Sequence, residues 1–134
     1  MYLVDTNIVS ELLRPRPNPG VINWIATQSK VAYAAISLEE SIFGLTRKDN
    51  RPLLDAFERF VSGRCTVYSV TEDIAQRAGM MRGELSKRGI VRSQPDMLIA
   101  ATAQAYALTL VTRNVRDFKD CGIGLLNPFI PDLG

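Results

Sequence analysis

The stretch YLVDTNIVSELL, residues 2–13, decides the fold. Tyr2, Leu3 and Val4 read as a short buried strand that runs into Asp5. Ile8, Val9, Leu12 and Leu13 then recur at helical spacing between Thr6 and Leu13. A buried strand followed at once by a helix is the opening of a βα unit. Asp5 stands at the junction, where Asp, Thr and Asn all serve well as helix caps. In an open α/β sheet the same junction is where ligand groups gather.

Reading outward, the alternation repeats. A loop from Arg14 to Gly20 leads to a short helix at Val21–Ile25. VAYAAI (31–36) is a second strand, and Ser37 opens a helix that carries Leu38, Ser41, Ile42 and Leu45 up to a break at Asp49-Asn50-Arg51-Pro52. Leu53, Leu54, Phe57, Phe60 and Val61 give the next helix an apolar face, which Gly63 ends. CTVYSV (65–70) is a third strand, and Thr71 caps a longer helix with Ile74, Ala75, Ala78, Met81 and Leu85 on one side. A polar loop from Gly89 to Gln94 precedes a strongly apolar helix, begun by Pro95 and running from Met97 to Ala107. TLVT (109–112) is a fourth strand, Arg113 to Phe118 a loop or turn, and GLLN (124–127) a short fifth strand. Pro128 and Pro131 close the chain. Short apolar strands without clean alternation, separated by helices, indicate an α/β fold. Its central parallel sheet of about five strands is covered on both faces, a three-layer α/β/α sandwich. No repeat or linker interrupts residues 1–134, which read as a single domain.

Composition narrows the chemistry. Apolar residues are 46% and charged residues 22%, as in ordinary globular proteins. No apolar run is long enough to cross a bilayer and no leader pattern opens the chain, so a cytoplasmic protein with no membrane contact is expected. The net charge of +2 neither demands nor forbids a nucleic-acid partner. The chain has no histidine. That removes Ser–His–Asp and Cys–His catalysis and the common zinc sites. Two cysteines, Cys65 and Cys121, are too few for a disulfide scaffold.

Four acids then stand out: Asp5, Glu40, Asp96 and Asp117. Each lies where a strand ends or a helix begins, and a parallel sheet brings such positions to one edge. Gathered carboxylates repel unless a cation sits between them, which points to a hard divalent metal and to phosphate chemistry. Each acid also has a local reading. Asp5 suits a cap. Ser37-Leu38-Glu39-Glu40 has the form of a capping box. Asp96 complements a helix dipole three residues after Ser93. Asp117 suits a solvated loop with local salt bridges. Around the acids, Thr6 and Thr112 are placed to hold carboxylates by hydrogen bonds, Asn7 beside Asp5 is a supporting residue, and Asn114 offers a neutral oxygen.

The joint placement resembles the PIN-domain ribonucleases, in particular the VapC and FitB-like toxins of bacterial type II toxin–antitoxin pairs. MYLVDTNIVSEL resembles that family's opening, with its first catalytic acid on Asp5. SLEESIFGL matches its pattern of Glu, three residues, Gly, which puts the second acid on Glu40 and the glycine on Gly44. PDMLIAATA resembles the helix that carries the third acid, here Asp96. LTLVTRNVRDF is similar to the last block, with Thr112, Asn114 and Asp117. Glu39 departs from the small or neutral residue common among relatives, and the fourth acid falls on Asn114 in some relatives and on Asp117 in others.

The resemblance implies endonucleolytic cleavage of RNA with one or two Mg²⁺ or Mn²⁺ ions held by Asp5, Glu40 and Asp96. It also implies a homodimer, a cognate antitoxin protein that enters the active-site groove, and a larger toxin–antitoxin complex. Its strand order, 3-2-1-4-5, puts Cys65 and Cys121 on opposite edges of the sheet, too far apart to bridge. The helices around Phe57–Val61 and Trp24–Ile25 suit either partner contact or the core. Arg14, Arg16, Arg88, Arg92, Arg113 and Arg116 lie in loops or at element ends, and an RNA groove is expected to draw on Arg92, Arg113 and Arg116. Two other readings compete. A PIN-fold module that binds RNA or antitoxin with little catalysis would carry the same residues. A haloacid-dehalogenase-type phosphatase also opens strand–Asp, but it needs a second acid where Asn7 stands. A phospho-receiver domain fits less well, lacking the early acidic pair.

Overall fold

The middle of the sheet is β1 (Tyr2–Val4), in a computed structural model that describes residues 1–131. It pairs in parallel with β2 (Val31–Ala34) on one side and β4 (Thr109–Val111) on the other. The edges are β3 (Cys65–Tyr68) and β5 (Leu125–Leu126), each also parallel to its neighbour. The order is thus β3-β2-β1-β4-β5, as the resemblance implied. The helices are α1 (Thr6–Leu12), α2 (Pro19–Ala26), α3 (Ala35–Arg47), α4 (Arg51–Arg64), α5 (Glu72–Lys87) and α6 (Gln94–Ala105).

Alternate strand residues face opposite sides of a sheet, and the core divides accordingly. Leu3, Ala32, Ala34 and Leu110 pack with Ile74, Ala78 and Leu85 of α5 and with Met97, Ile99, Ala100, Ala101 and Ala103 of α6. Val4, Val31, Tyr33, Cys65 and Val111 pack with Ile8 and Val9 of α1, Val21 and Ile25 of α2, and Leu54 and Phe57 of α4. These are the three expected layers. Phe57 and Ile25 therefore belong to the core, with Trp24, Phe60 and Val61 half-buried around it. Cys65 and Cys121 are free and buried. No described helix is long and apolar enough to cross a membrane.

Several boundaries differ from the sequence reading. The second strand ends at Ala34, and α3 starts at Ala35 with no side-chain cap. Ser37 is thus inside the helix and fully buried, and its Oγ has no hydrogen-bond partner. The capping box does not form, because the helix begins two residues before its supposed cap. α2 starts at Pro19, since Asn18 caps it by accepting from the Gly20 N–H at 2.9 Å and Pro is favoured in a first turn. Gly63 does not end α4, which runs to Arg64; there the guanidinium donates to the carbonyls of Ile25, Gln28 and Ser29. β3 stops at Tyr68, opposite the last residue of β2. Residues Val115–Phe118 form a 3₁₀ turn.

Gly20 is fixed by packing. A Cβ there would run into the Pro128 carbonyl. Asn18 grips the same C-terminal segment twice: its Nδ2 donates to the Ile130 carbonyl at 2.9 Å, and its Oδ1 accepts from the Ile130 N–H at 3.1 Å.

Candidate active site

Asp5 continues β1 by one residue, its N–H donating to the Val111 carbonyl at 2.9 Å. That bond turns its carboxylate out at the C-terminal end of the middle strand. The side chain is 6% exposed and well held. Oδ1 accepts from the Thr6 N–H at 2.7 Å, and Oδ2 accepts from the Thr112 hydroxyl at 2.8 Å and from Asn7 Nδ2 at 3.2 Å. Asp5 is therefore both the N-cap of α1 and a cleft carboxylate. Asn7 also ties the loop after β4, its Oδ1 accepting from the Arg113 N–H at 3.1 Å. Thr112 is fully buried and accepts from the Asn114 N–H at 3.0 Å.

Glu40 comes from α3. With the helix starting at Ala35, Glu40 lies in its second turn, away from the unpaired N–H groups of the first. It is half-buried, and its Oε1 accepts from the Thr6 hydroxyl at 3.3 Å. Asp96 sits in the first turn of α6, behind the Ser93 cap that accepts its N–H at 3.2 Å. The helix it begins is buried from Met97 to Ala103 apart from Leu98, so Asp96 is set at the edge of the core.

Asp5, Glu40 and Asp96 line one open cleft of about 610 Å³ with Thr6, Asn7, Arg113 and Asn114. Burial pushes all three carboxyls above their usual range, the mutual charge of Asp5 and Asp96 adds to this at Asp5, and both add to it at Glu40. Asp117 raises Asp96 further, and Arg92 opposes it. None of the three has an ion-pair partner among the described residues. Nor do three acidic, His or Cys side chains close into a ready metal cluster among those residues; the acids share a cleft rather than one tight sphere. Such a site suits a hard ion that keeps several waters and takes only one or two carboxylates directly. The donor set is all oxygen, with neither imidazole nor thiolate, which selects the same class of ion.

The remaining candidates divide. Asn114 lines the cleft; Asp117 is exposed on the 3₁₀ turn and acts on Asp96 from outside it. Arg113 lines the cleft with its guanidinium 4.7 Å from the centre of the Phe129 ring. Arg92 donates to the Asp117 carbonyl, and Arg116 is exposed. Arg14 also lines the cleft, whereas Arg16 lies in a neighbouring hollow. Arg88 lies elsewhere, in a hollow with Arg77 and Asp120.

The family model described as PIN domain matches residues 2–123. The chain belongs to the PIN-domain family. This PIN domain is 30% identical over 139 residues to Toxin FitB of Neisseria gonorrhoeae, covering 96% of the chain and 99% of that protein. It is 30% identical to the tRNA(fMet)-specific endonuclease VapC of Shigella flexneri, over 90% of the chain and 92% of the relative. Among solved structures, VapBC2 from Rickettsia felis bound to a DNA fragment from their promoter superposes with a TM-score of 0.84 at 26% identity, covering 94% of this PIN domain and 97% of that chain.

Four residues of the cleft, Ser10, Glu11, Lys48 and Phe129, escaped the sequence reading. Lys48, the C-cap of α3, stands eight residues after Glu40 and so on the same helix face; that spacing was a usable signal. Glu11 is 6% exposed; it accepts from the Asn18 N–H at 2.8 Å and from Arg14 at 3.2 Å, fixing the loop after α1. Phe129 comes from the C-terminal segment, and nothing local marks it.

Proposed function

We propose that this PIN domain is the toxin of a type II toxin–antitoxin pair and acts as a divalent-metal-dependent endoribonuclease. The observation that carries the reading is the meeting of Asp5, Glu40 and Asp96, from three separate elements, in one open cleft that also holds Lys48 and Arg113. Relatives that bear the names of a toxin and of a tRNA endonuclease over nearly their whole length support it.

In this reading Asp5, Glu40 and Asp96 hold one or two Mg²⁺ or Mn²⁺ ions. When bound, such an ion acidifies water and offsets charge on the phosphate. The protein supplies the rest. Thr112, Asn7 and the Thr6 N–H fix both oxygens of Asp5, and the Thr6 hydroxyl steadies Glu40, so the carboxylates meet the ion with little left to order. Asn114 and Asp117 flank Asp96 as the fourth position. Lys48, Arg113 and Arg14 offer phosphate contacts along the cleft, with Arg92 and Arg116 beyond it. A cognate antitoxin, a homodimer and their joint complex complete the proposal.

The test is cleavage of a labelled single-stranded RNA panel with Mn²⁺ or Mg²⁺, an EDTA control and an Asp5→Asn/Asp96→Asn variant. Metal-dependent cleavage that disappears in the variant is expected. Equal cleavage by the folded variant would remove the site, and no cleavage by folded wild type would favour a binding module.

A further inference from the structure

A second cavity, of about 290 Å³, lies between α1, α3 and the start of α4. Val9, Leu45 and Leu53 make its walls apolar, and the Ser10 and Ser41 hydroxyls add polar points. Its mouth is shared with the acid cleft through Thr6, Ser10, Arg14, Glu40 and Lys48. The two spaces are thus one continuous surface: carboxylates and two cations outside, an apolar chamber inside. A fitting ligand has an anionic end and a flat, largely apolar body. The volume is at the small end of ligand pockets, roughly 300–1,000 Å³, which suits one ring system rather than a length of chain.

Gly44 adds an independent observation. It lies within α3 and lines the chamber, and a Cβ built there meets nothing within 4 Å. Glycine inside a helix is destabilising, and here no close neighbour requires it. Its effect is to leave the chamber open.

We propose that this chamber takes one base of the RNA, that of a nucleotide beside the phosphate held in the acid cleft, and that Gly44 keeps it open. Single-stranded RNA is read in this way, through bases splayed out of the stack. The proposal rests on the ribonuclease reading, and its test separates the two. Gly44→Ala and Gly44→Leu form a graded series that fills the chamber without a clash in the backbone. Binding of each of the four nucleoside 5′-monophosphates with Mn²⁺ is measured by calorimetry, alongside Mn²⁺ affinity alone. Cleavage is compared on RNAs that differ only in the base beside the cut.

Wild type is expected to bind at least one monophosphate and to prefer one base. Gly44→Leu weakens that binding at least tenfold and flattens the preference, Gly44→Ala does so less, and Mn²⁺ affinity stays within twofold. Unchanged binding and preference in Gly44→Leu overturns the proposal. So does a wild type that binds no monophosphate and cuts without preference. A Gly44→Leu variant that loses only binding of a protein partner would assign the chamber to a peptide and overturn it as well. If wild type cuts no RNA at all, the ribonuclease reading fails alone, and the monophosphate series still decides what the chamber takes.

Discussion

The two faces of the sheet are packed in different materials. The α5/α6 face carries six buried alanines, Ala32 and Ala34 of β2, Ala78 of α5, and Ala100, Ala101 and Ala103 of α6, set among larger Leu, Ile and Met side chains. Among the described residues it carries a hollow of about 140 Å³ between α5 and α6 and a wider one of about 490 Å³ beside Arg77, Leu85 and Asp120. The opposite face is filled by Tyr33 and Phe57, whose rings meet edge-on at 6.3 Å, and by Tyr2 against Trp24 at 5.5 Å. Beside them lies the chamber of about 290 Å³. The alanines of α6 lie in the helix that Asp96 begins and pack it on the sheet. The acids stand at the seam, one from the middle strand and one from the helices on either side.

The largest effect expected is at that seam. Asp5→Asn/Asp96→Asn should cut RNA at least about 1,000-fold more slowly, about 4 kcal/mol of barrier, with an unchanged circular dichroism spectrum. A smaller loss would mean that one face alone carries the chemistry. Next, Phe57→Ala should destabilise by about 3–5 kcal/mol, because the ring is fully buried; urea midpoints read this directly. Thr112→Val removes the hydroxyl that holds Asp5 and should weaken Mn²⁺ binding about 10–100-fold, with the fold intact.

On the α5/α6 face the sign reverses: adding atoms should do the harm. Ala101→Leu should cost about 1–3 kcal/mol, whereas filling the chamber from Gly44 should cost nothing. Equal tolerance at both places would erase the distinction between the faces. The smallest effect is with pH. Burial raises Asp5, Glu40 and Asp96 above 3.8, 4.5 and 3.8, so the folded chain holds their protons more tightly than the unfolded chain does. Metal-free stability should therefore fall as pH rises from those ordinary values through the raised ones. Added Mn²⁺ should raise the melting temperature at neutral pH and not near pH 4. A metal-free stability that climbs through this window would contradict the burial of the acids.

Much of this was legible in the sequence because local and global signals agree. YLVD to NIVSEL gives a strand and a helix with no competing pattern, and α6 declares itself by the apolar run Met97–Ala101 after Ser93-Gln94-Pro95-Asp96. The errors fall where the signal is not local. VAYAAI is apolar throughout, and nothing within it says that the strand stops at Ala34; the sheet partners decide that. The misplaced start made Glu40 look like half of a capping box, which α3 as built leaves undone. At the site, Asp5 and Asp96 were readable from their element ends, whereas Glu40 lies in the second turn of α3 and was marked by the Glu, three residues, Gly pattern of the resemblance. Phe129 was not, since its segment is tied down by the grip of Asn18 on Ile130, more than a hundred positions away.

The middle strand is made before the other four strands of the sheet. Its partner β4, and with it the Thr112 hydroxyl that fixes Asp5, follows 107 residues later. The Phe129 wall comes later still. At about 5–20 residues per second on the ribosome, Asp5 spends several seconds outside or in transit without the donor that sets it. Order of synthesis thus opposes order of assembly: a chain still being translated carries the acids but not the site, which closes only when its last strands arrive.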